Sequence, residues 1–237
     1  MANTKFDAFA GLYNSGRSQI LSVEHVADLE TPVSVYLKLA HANPYSFLLE
    51  SVEGGAVKGR YSIVGTDPDL IWRCDAEGVS QQIYAGSNSR IEAIDADPVT
   101  ALRQVVEASR IDERENLPPA VSALVGYIGY DMVSHVEKLK FENADSLELP
   151  DAVLMRPTLI VVFDNIKDSL FISVPVRPVP GITAEEAYNL ANTKIKRALS
   201  QLGELTPKLH ETYEPNRHLS DSLISNTTPE QFMGRVK

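Results

Sequence analysis

The sequence predicts an α+β fold: antiparallel β-sheets in a sandwich-like arrangement, flanked by helices. Three observations predict it. Apolar runs pair across turn residues as hairpins, at 46–51 with 60–64, 70–74 with 79–84, and 159–163 with 170–174. Helix starts at Thr31, Asp97 and Thr183 interrupt those runs. Strands and helices do not alternate regularly, as a doubly wound parallel sheet requires.

The elements follow in chain order. Residues 19–26 alternate loosely and read as a strand. Thr31 is placed to cap a helix that Pro32 begins, with Val33, Tyr36, Leu37 and Ala40 on one face and Asn43-Pro44 as its stop. The hairpin at 46–64 closes over EGGAVKG, and Asp67-Pro68 reads as a further turn. With the hairpin at 70–84, closed through Asp75 to Gly78, this makes a four-strand meander. Asp97-Pro98 opens a helix with Leu102, Val105, Val106 and Ser109 at helical spacing. Residues 120–128 are apolar nearly throughout, as expected of a central strand covered on both faces. Thr183 and Glu186 form a capping box, and Ala187, Leu190, Ala191, Ile195, Ala198 and Leu202 are expected on the buried side of the helix that follows.

This pattern divides the chain into a domain at 1–202, a polar, aperiodic linker at 203–227, and a helix start at 228–237. Thr228-Pro229-Glu230-Gln231 is a strong start, yet only six residues follow it. Isolated helices shorter than ~12 residues are marginal in water, so the expectation is a longer protein interrupted inside a helix.

A chain of 237 residues is long enough for a substantial core. Its net charge of −10, with no basic cluster, argues against nucleic acid and anionic membranes as partners. No apolar run approaches a membrane span and no signal peptide is visible, so a cytoplasmic location is expected. Cys74 is the only cysteine, which excludes an internal disulfide and a thiolate metal cluster. It reads as a small core residue.

Few residues offer chemistry. The five histidines form no metal-binding spacing, and no P-loop or nucleophile elbow is present. Asp131 and His135 lie near each other along the chain, but Asp131 reads best as a helix cap. Gly126 and Gly129 would let another backbone approach. Glu50 and Ser51 are the less ordinary pair, at the inner end of an apolar strand. They fit two readings: a strand end meeting solvent, or a polar notch for a small amino acid, with Glu50 taking its ammonium, Ser51 donating or accepting, and Arg60 across the hairpin holding its carboxylate.

Four stretches resemble the anthranilate synthase component I family. FLLESVEGGAVKGRYSIVGTDP at 47–68 is similar to its N-terminal part, and LVGYIGYDMV at 124–133 to its second N-terminal signature. LPDAVLMRPTLIVVFDNIKDSL at 149–170 resembles the hairpin that follows, and TPEQFMGRVK at 228–237 the start of the chorismate-binding half. The resemblance implies that Ser51 first, then Glu50, then Arg60 contribute to a feedback site for L-tryptophan. It implies a parent enzyme, a lyase that converts chorismate to anthranilate and pyruvate. The parent would use ammonia from a glutamine amidotransferase subunit and Mg²⁺ bound at the chorismate. In the family, the metal-binding and chorismate-binding residues, and a proline-tyrosine-methionine segment of the tryptophan pocket, belong to the C-terminal half. The resemblance therefore assigns this chain no catalytic and no metal-binding residue, and it is expected to be inactive alone. Two alternatives stand beside this reading: aminodeoxychorismate synthase component I, and a non-enzymatic amino-acid-binding module.

Overall fold

The structure is a computed structural model that describes residues 4–53, 57–85, 89–111, 117–139, 147–207 and 225–236. The chain divides into two units, Met1–Thr206 and Pro207–Lys237. The first contains an eight-stranded antiparallel sheet: β1 (Gln19–Val26), β2 (Phe47–Glu53), β3 (Val57–Cys74), β4 (Ser80–Tyr84), β5 (Arg90–Ile94), β6 (Val125–Ile128), β7 (Ala152–Asp164) and β8 (Ser169–Val176). Its helices are α1 (Thr4–Asn14), α2 (Pro32–Leu39), α3 (Pro98–Ser109) and α4 (Ala184–Leu202), with a 3₁₀ turn at Tyr130–His135. The α+β class and antiparallel pairing agree with the sequence, but all the described strands join one curled sheet.

The curl follows from two long strands. β3 and β7 pair from Tyr61↔Asp164 to Cys74↔Ala152, with a register shift between Pro68 and Leu70. Pro68 stands opposite Pro157. Neither proline has an N–H for the ladder, and Asp67 adopts a left-handed φ of 52°. Asp67-Pro68 is therefore a bulge inside a continuous strand, where a chain reversal was expected. On one side of it the ribbon is flanked by β2 and by β8 with β1; on the other, by β4 with β5 and by β6.

Each half has its own core. Val64, Val161, Phe163, Leu170 and Ile172 pack with Phe9 and Tyr13 of α1, Val35 of α2, and Ala187, Ala191 and Ile195 of α4. A second cluster holds Ile20, Ile160 and Val162 with Ile111 and Val121. The far half packs Leu70, Trp72, Cys74 and Ala152 with Val105 of α3 and Met132 of the 3₁₀ turn. Cys74 is buried, and burial pushes its thiol pKa up, consistent with a core residue.

Local signals place several ends correctly. Thr31 accepts from Ser34 N, Asp97 from Val99 N and Thr100 N, and Thr183 and Glu186 complete their capping box. In the second unit Thr228 and Gln231 do the same for α5 (Pro229–Arg235). Of the expected linker, residues 208–224 lie outside the described residues. No helix among the described residues is long and apolar enough to cross a membrane.

Three expectations change. Residues 120–124 form a turn and lead, and only Val125–Ile128 is strand, paired to β7 at the sheet margin with Gly126, Tyr127 and Ile128 exposed. Val121 is buried in the second cluster, so the apolar run serves partly as a loop packed on the sheet. Leu190, expected on the buried side of α4, is 63% exposed. α1 was not foreseen, although Phe6, Phe9, Ala10 and Tyr13 recur at helical spacing.

The glycine expectation holds. A Cβ at Gly126 would lie 1.9 Å from the Val153 carbonyl oxygen, and one at Gly129 would lie 2.8 Å from that of Asp151. Gly126→Ala should detach β6 from β7 at a cost of about 1–3 kcal/mol, because the obstructing atom is backbone. Urea denaturation with faster amide exchange confined to 125–128 would verify it; wild-type protection there would refute it.

Candidate functional site

The hairpin of β2 and β3 carries the three residues singled out in the sequence. Its ladder runs regularly from Phe47↔Gly65 to Glu50↔Ser62 and resumes at Val52↔Lys58. Between those pairs β2 has one residue, Ser51, and β3 has three, Gly59 to Tyr61. β3 therefore bulges opposite Ser51, and this irregularity opens the ladder.

Ser51 lies over Gly59. A Cβ at Gly59 would come within 2.1 Å of Ser51 Oγ and 2.3 Å of Ser51 Cβ. Gly59 is buried, and its absent side chain is what lets the hydroxyl lie against the strand. Among the described residues β2 pairs only with β3, so its other edge presents unpaired backbone groups.

Arg60 belongs to a second constellation. Its Nε and Nη2 donate to Asp164 at 3.2 and 2.9 Å, and its guanidinium stands 4.8 Å from the centre of the Tyr61 ring. The Arg60 side chain is 45% exposed and that of Asp164 is 3% exposed. Asp164 also accepts from the backbone N–H groups of Ile166 and Lys167. The Arg60 hydrogen bonds hold the Asp164 carboxyl below the usual carboxylate range; burial opposes them, and the two turn N–H groups add to them. Asn165 then ties the corner to the hairpin: its Nδ2 donates to the Gly59 carbonyl at 2.7 Å and its backbone N to the Arg60 carbonyl at 2.8 Å.

The structure thus brings Ser51, Gly59, Arg60, Asp164 and Asn165 to one end of the sheet. Glu50 is exposed at the same end, but strand alternation sends it to the opposite face from Ser51. Ser51 is also exposed. Arg60 reaches this end with its charge already paired. Sequence reasoning missed Asp164 and Asn165, which read only as a hairpin loop, and Gly59, whose role lay unread in the G-R-Y-S stretch.

Asp131 does not cap a helix: Gly129 holds the cap position with no side-chain bond, and Asp131 lies within the 3₁₀ turn. His135 pairs instead with Asp151, Nε2 to Oδ2 at 3.3 Å. His25 and His41 are exposed, and His210 and His218 lie outside the described residues. Among the described residues no group of three or more His, Cys, Asp or Glu side chains is placed to hold a metal ion.

A family model described as chorismate binding enzyme matches residues 67–237. The chain is 40% identical over 235 residues to anthranilate synthase component 1 of Cereibacter sphaeroides, covering 99% of this chain and 47% of that protein. It is 34% identical over 238 residues to the same component of Pseudomonas aeruginosa, covering 98% and 47%. The chain spans about half the length of the curated relatives it matches. Among solved structures it resembles anthranilate synthase component I of Streptococcus pneumoniae TIGR4, with a TM-score of 0.49 and 22% identity over 77% of this chain and 37% of that one.

Proposed function

The chain belongs to the chorismate-binding enzyme family, with anthranilate synthase component 1 among its relatives, and we propose that it is the region through which L-tryptophan controls such an enzyme. The whole protein would convert chorismate, with ammonia supplied by a glutamine amidotransferase subunit, to anthranilate and pyruvate, using Mg²⁺ held by residues outside this chain. The observation that carries the regulatory reading is the bulge opposite Ser51, with that hydroxyl against Gly59 on a strand whose other edge is unpaired among the described residues.

A zwitterion docking there would meet polar groups of both kinds. Ser51 offers a hydroxyl, the free edge of β2 offers backbone N–H and C=O groups, and Arg60 offers the donors that Asp164 leaves unused. Glu50 would reach the ammonium from the other face only around the edge of the strand, so its contribution is the smaller. Tryptophan that binds one arrangement of the whole protein better than another shifts the balance between them by its differential affinity.

The test uses the full-length enzyme. Ser51→Phe fills the notch and should weaken tryptophan inhibition by at least about tenfold, with kcat/KM for chorismate little changed. Equal loss of inhibition and turnover would count against a regulatory role. Following turnover by anthranilate fluorescence also separates this enzyme from an aminodeoxychorismate synthase.

A further inference from the structure

A cavity of about 350 Å³ lies between the end of β8, the bend of β3 and α4. Val174, Val176, Ile182, Ala187 and Leu190 give it an apolar lining, and Arg177, Asp69 and Lys194 bring charge to its wall. It shares no residue with the Ser51 site.

The charges are unevenly matched. Asp69 accepts two hydrogen bonds from Arg156, at 2.7 and 3.1 Å. Lys194 donates to Thr158 Oγ1 at 2.6 Å and stands 3.5 Å from Asp67. Among the described residues Arg177 makes a single hydrogen bond, from Nη2 to the Ser109 carbonyl at 3.0 Å, while its Nε and Nη1 are buried with no hydrogen-bond partner there. Burial, and then the neighbouring positive charge of Arg156, push the Arg177 pKa down to about 10, with the nearby Asp69 carboxylate opposing them, so the group stays charged at neutral pH. A half-buried guanidinium with two enclosed, unpartnered nitrogens is costly unless an anion meets it.

The apolar wall makes the same demand independently. Leu190 falls on the apolar stripe of α4, between Ala187 and Ala191, which are both buried, yet it is 63% exposed at this cavity. Val179 and Ile182 are also exposed there. The helix carries apolar surface that nothing described in the protein covers.

We propose that this cavity binds a small carboxylate with an apolar body, the carboxylate on Arg177 and the body against Ile182 and Leu190. One hydrogen bond to the Ser109 carbonyl is a weak tether, so the guanidinium turns toward the cavity by exchanging that bond for a two-pronged pair with the carboxylate. The volume is at the lower end of the range for small-molecule sites.

The test is calorimetric titration of the full 237-residue chain with benzoate, with uncharged benzamide, and with inorganic phosphate. Benzoate should bind with a Kd of roughly 1 mM and at least about tenfold more tightly than benzamide or phosphate. Arg177→Met should abolish benzoate binding without lowering the melting temperature, because it removes an unmatched, half-buried charge. Leu190→Asp, at an exposed position that folding tolerates, should weaken benzoate by about tenfold. Benzoate binding no tighter than benzamide or phosphate, or undiminished in either variant, would overturn the assignment, as would no benzoate binding at all.

Discussion

Trp72→Ala should destabilise the first unit by about 3–5 kcal/mol, the largest effect expected of any single change considered. Trp72 is fully buried in the far half of β3, opposite Gln82 of β4 and Leu154 of β7. That half of the sheet has a core cluster of six buried residues, of which Trp72 is the largest. Removing it leaves Val105 of α3 and Met132 of the 3₁₀ turn facing a void that β-strand backbone cannot collapse to fill. Trp72→Phe should be far milder, under about 1.5 kcal/mol. The indole Nε1 has no hydrogen-bond partner among the described residues, so Phe loses some contact area but also removes a stranded donor. Urea denaturation of both variants checks the pair. An alanine loss no greater than that of phenylalanine would mean that the core of the far half does not depend on Trp72.

Asp164→Ala should cost about 2 kcal/mol and disorder the Ser51 corner. The carboxylate accepts from Arg60 and from two backbone N–H groups of the turn after β7, and alanine leaves those donors without it. Asn165, which holds the Gly59 carbonyl beneath Ser51, would lose its fixed position. On the proposed regulatory role, the same substitution in the full-length protein should therefore weaken tryptophan inhibition. The effect on stability also has a pH signature. The folded-state pKa of Asp164 is lowered, so its contribution is complete above the unfolded carboxylate value of about 4 and is lost as pH falls through the lower folded value. Wild type should lose stability on the acid side of pH 4 more steeply than Asp164→Asn, measured by melting temperature from pH 2 to 7. Parallel curves would show that the carboxylate charge does not hold the corner.

The legibility of the fold divides by the range of the interaction. Caps at Thr31, Asp97, Thr183 and Thr228 were readable because a cap binds backbone two or three residues away. The strand at 19–26 was readable from its own residues. Asp67-Pro68 was misread because the same dipeptide suits a turn or a bulge, and Pro157 of a distant strand decides which. The apolar run at 120–128 was misread because burial by a loop and burial in a central strand ask for the same side chains. At the candidate site, family resemblance pointed to Glu50, Ser51 and Arg60. It did not reveal that Arg60 is engaged by a carboxylate 104 positions away.

By itself the chain declares an acidic α+β protein with its helix ends, its hairpins and its family stretches in order, since each depends on composition or on residues close in sequence. Only the tertiary structure decides that the described strands share one curled sheet, that Ser51 rests on Gly59 while Glu50 faces the other way, and that Arg177 sits half-buried beside an apolar cavity with two enclosed, unmatched nitrogens. These depend on strand register and on which distant groups meet. Register changes the neighbours of every side chain while leaving the local sequence the same.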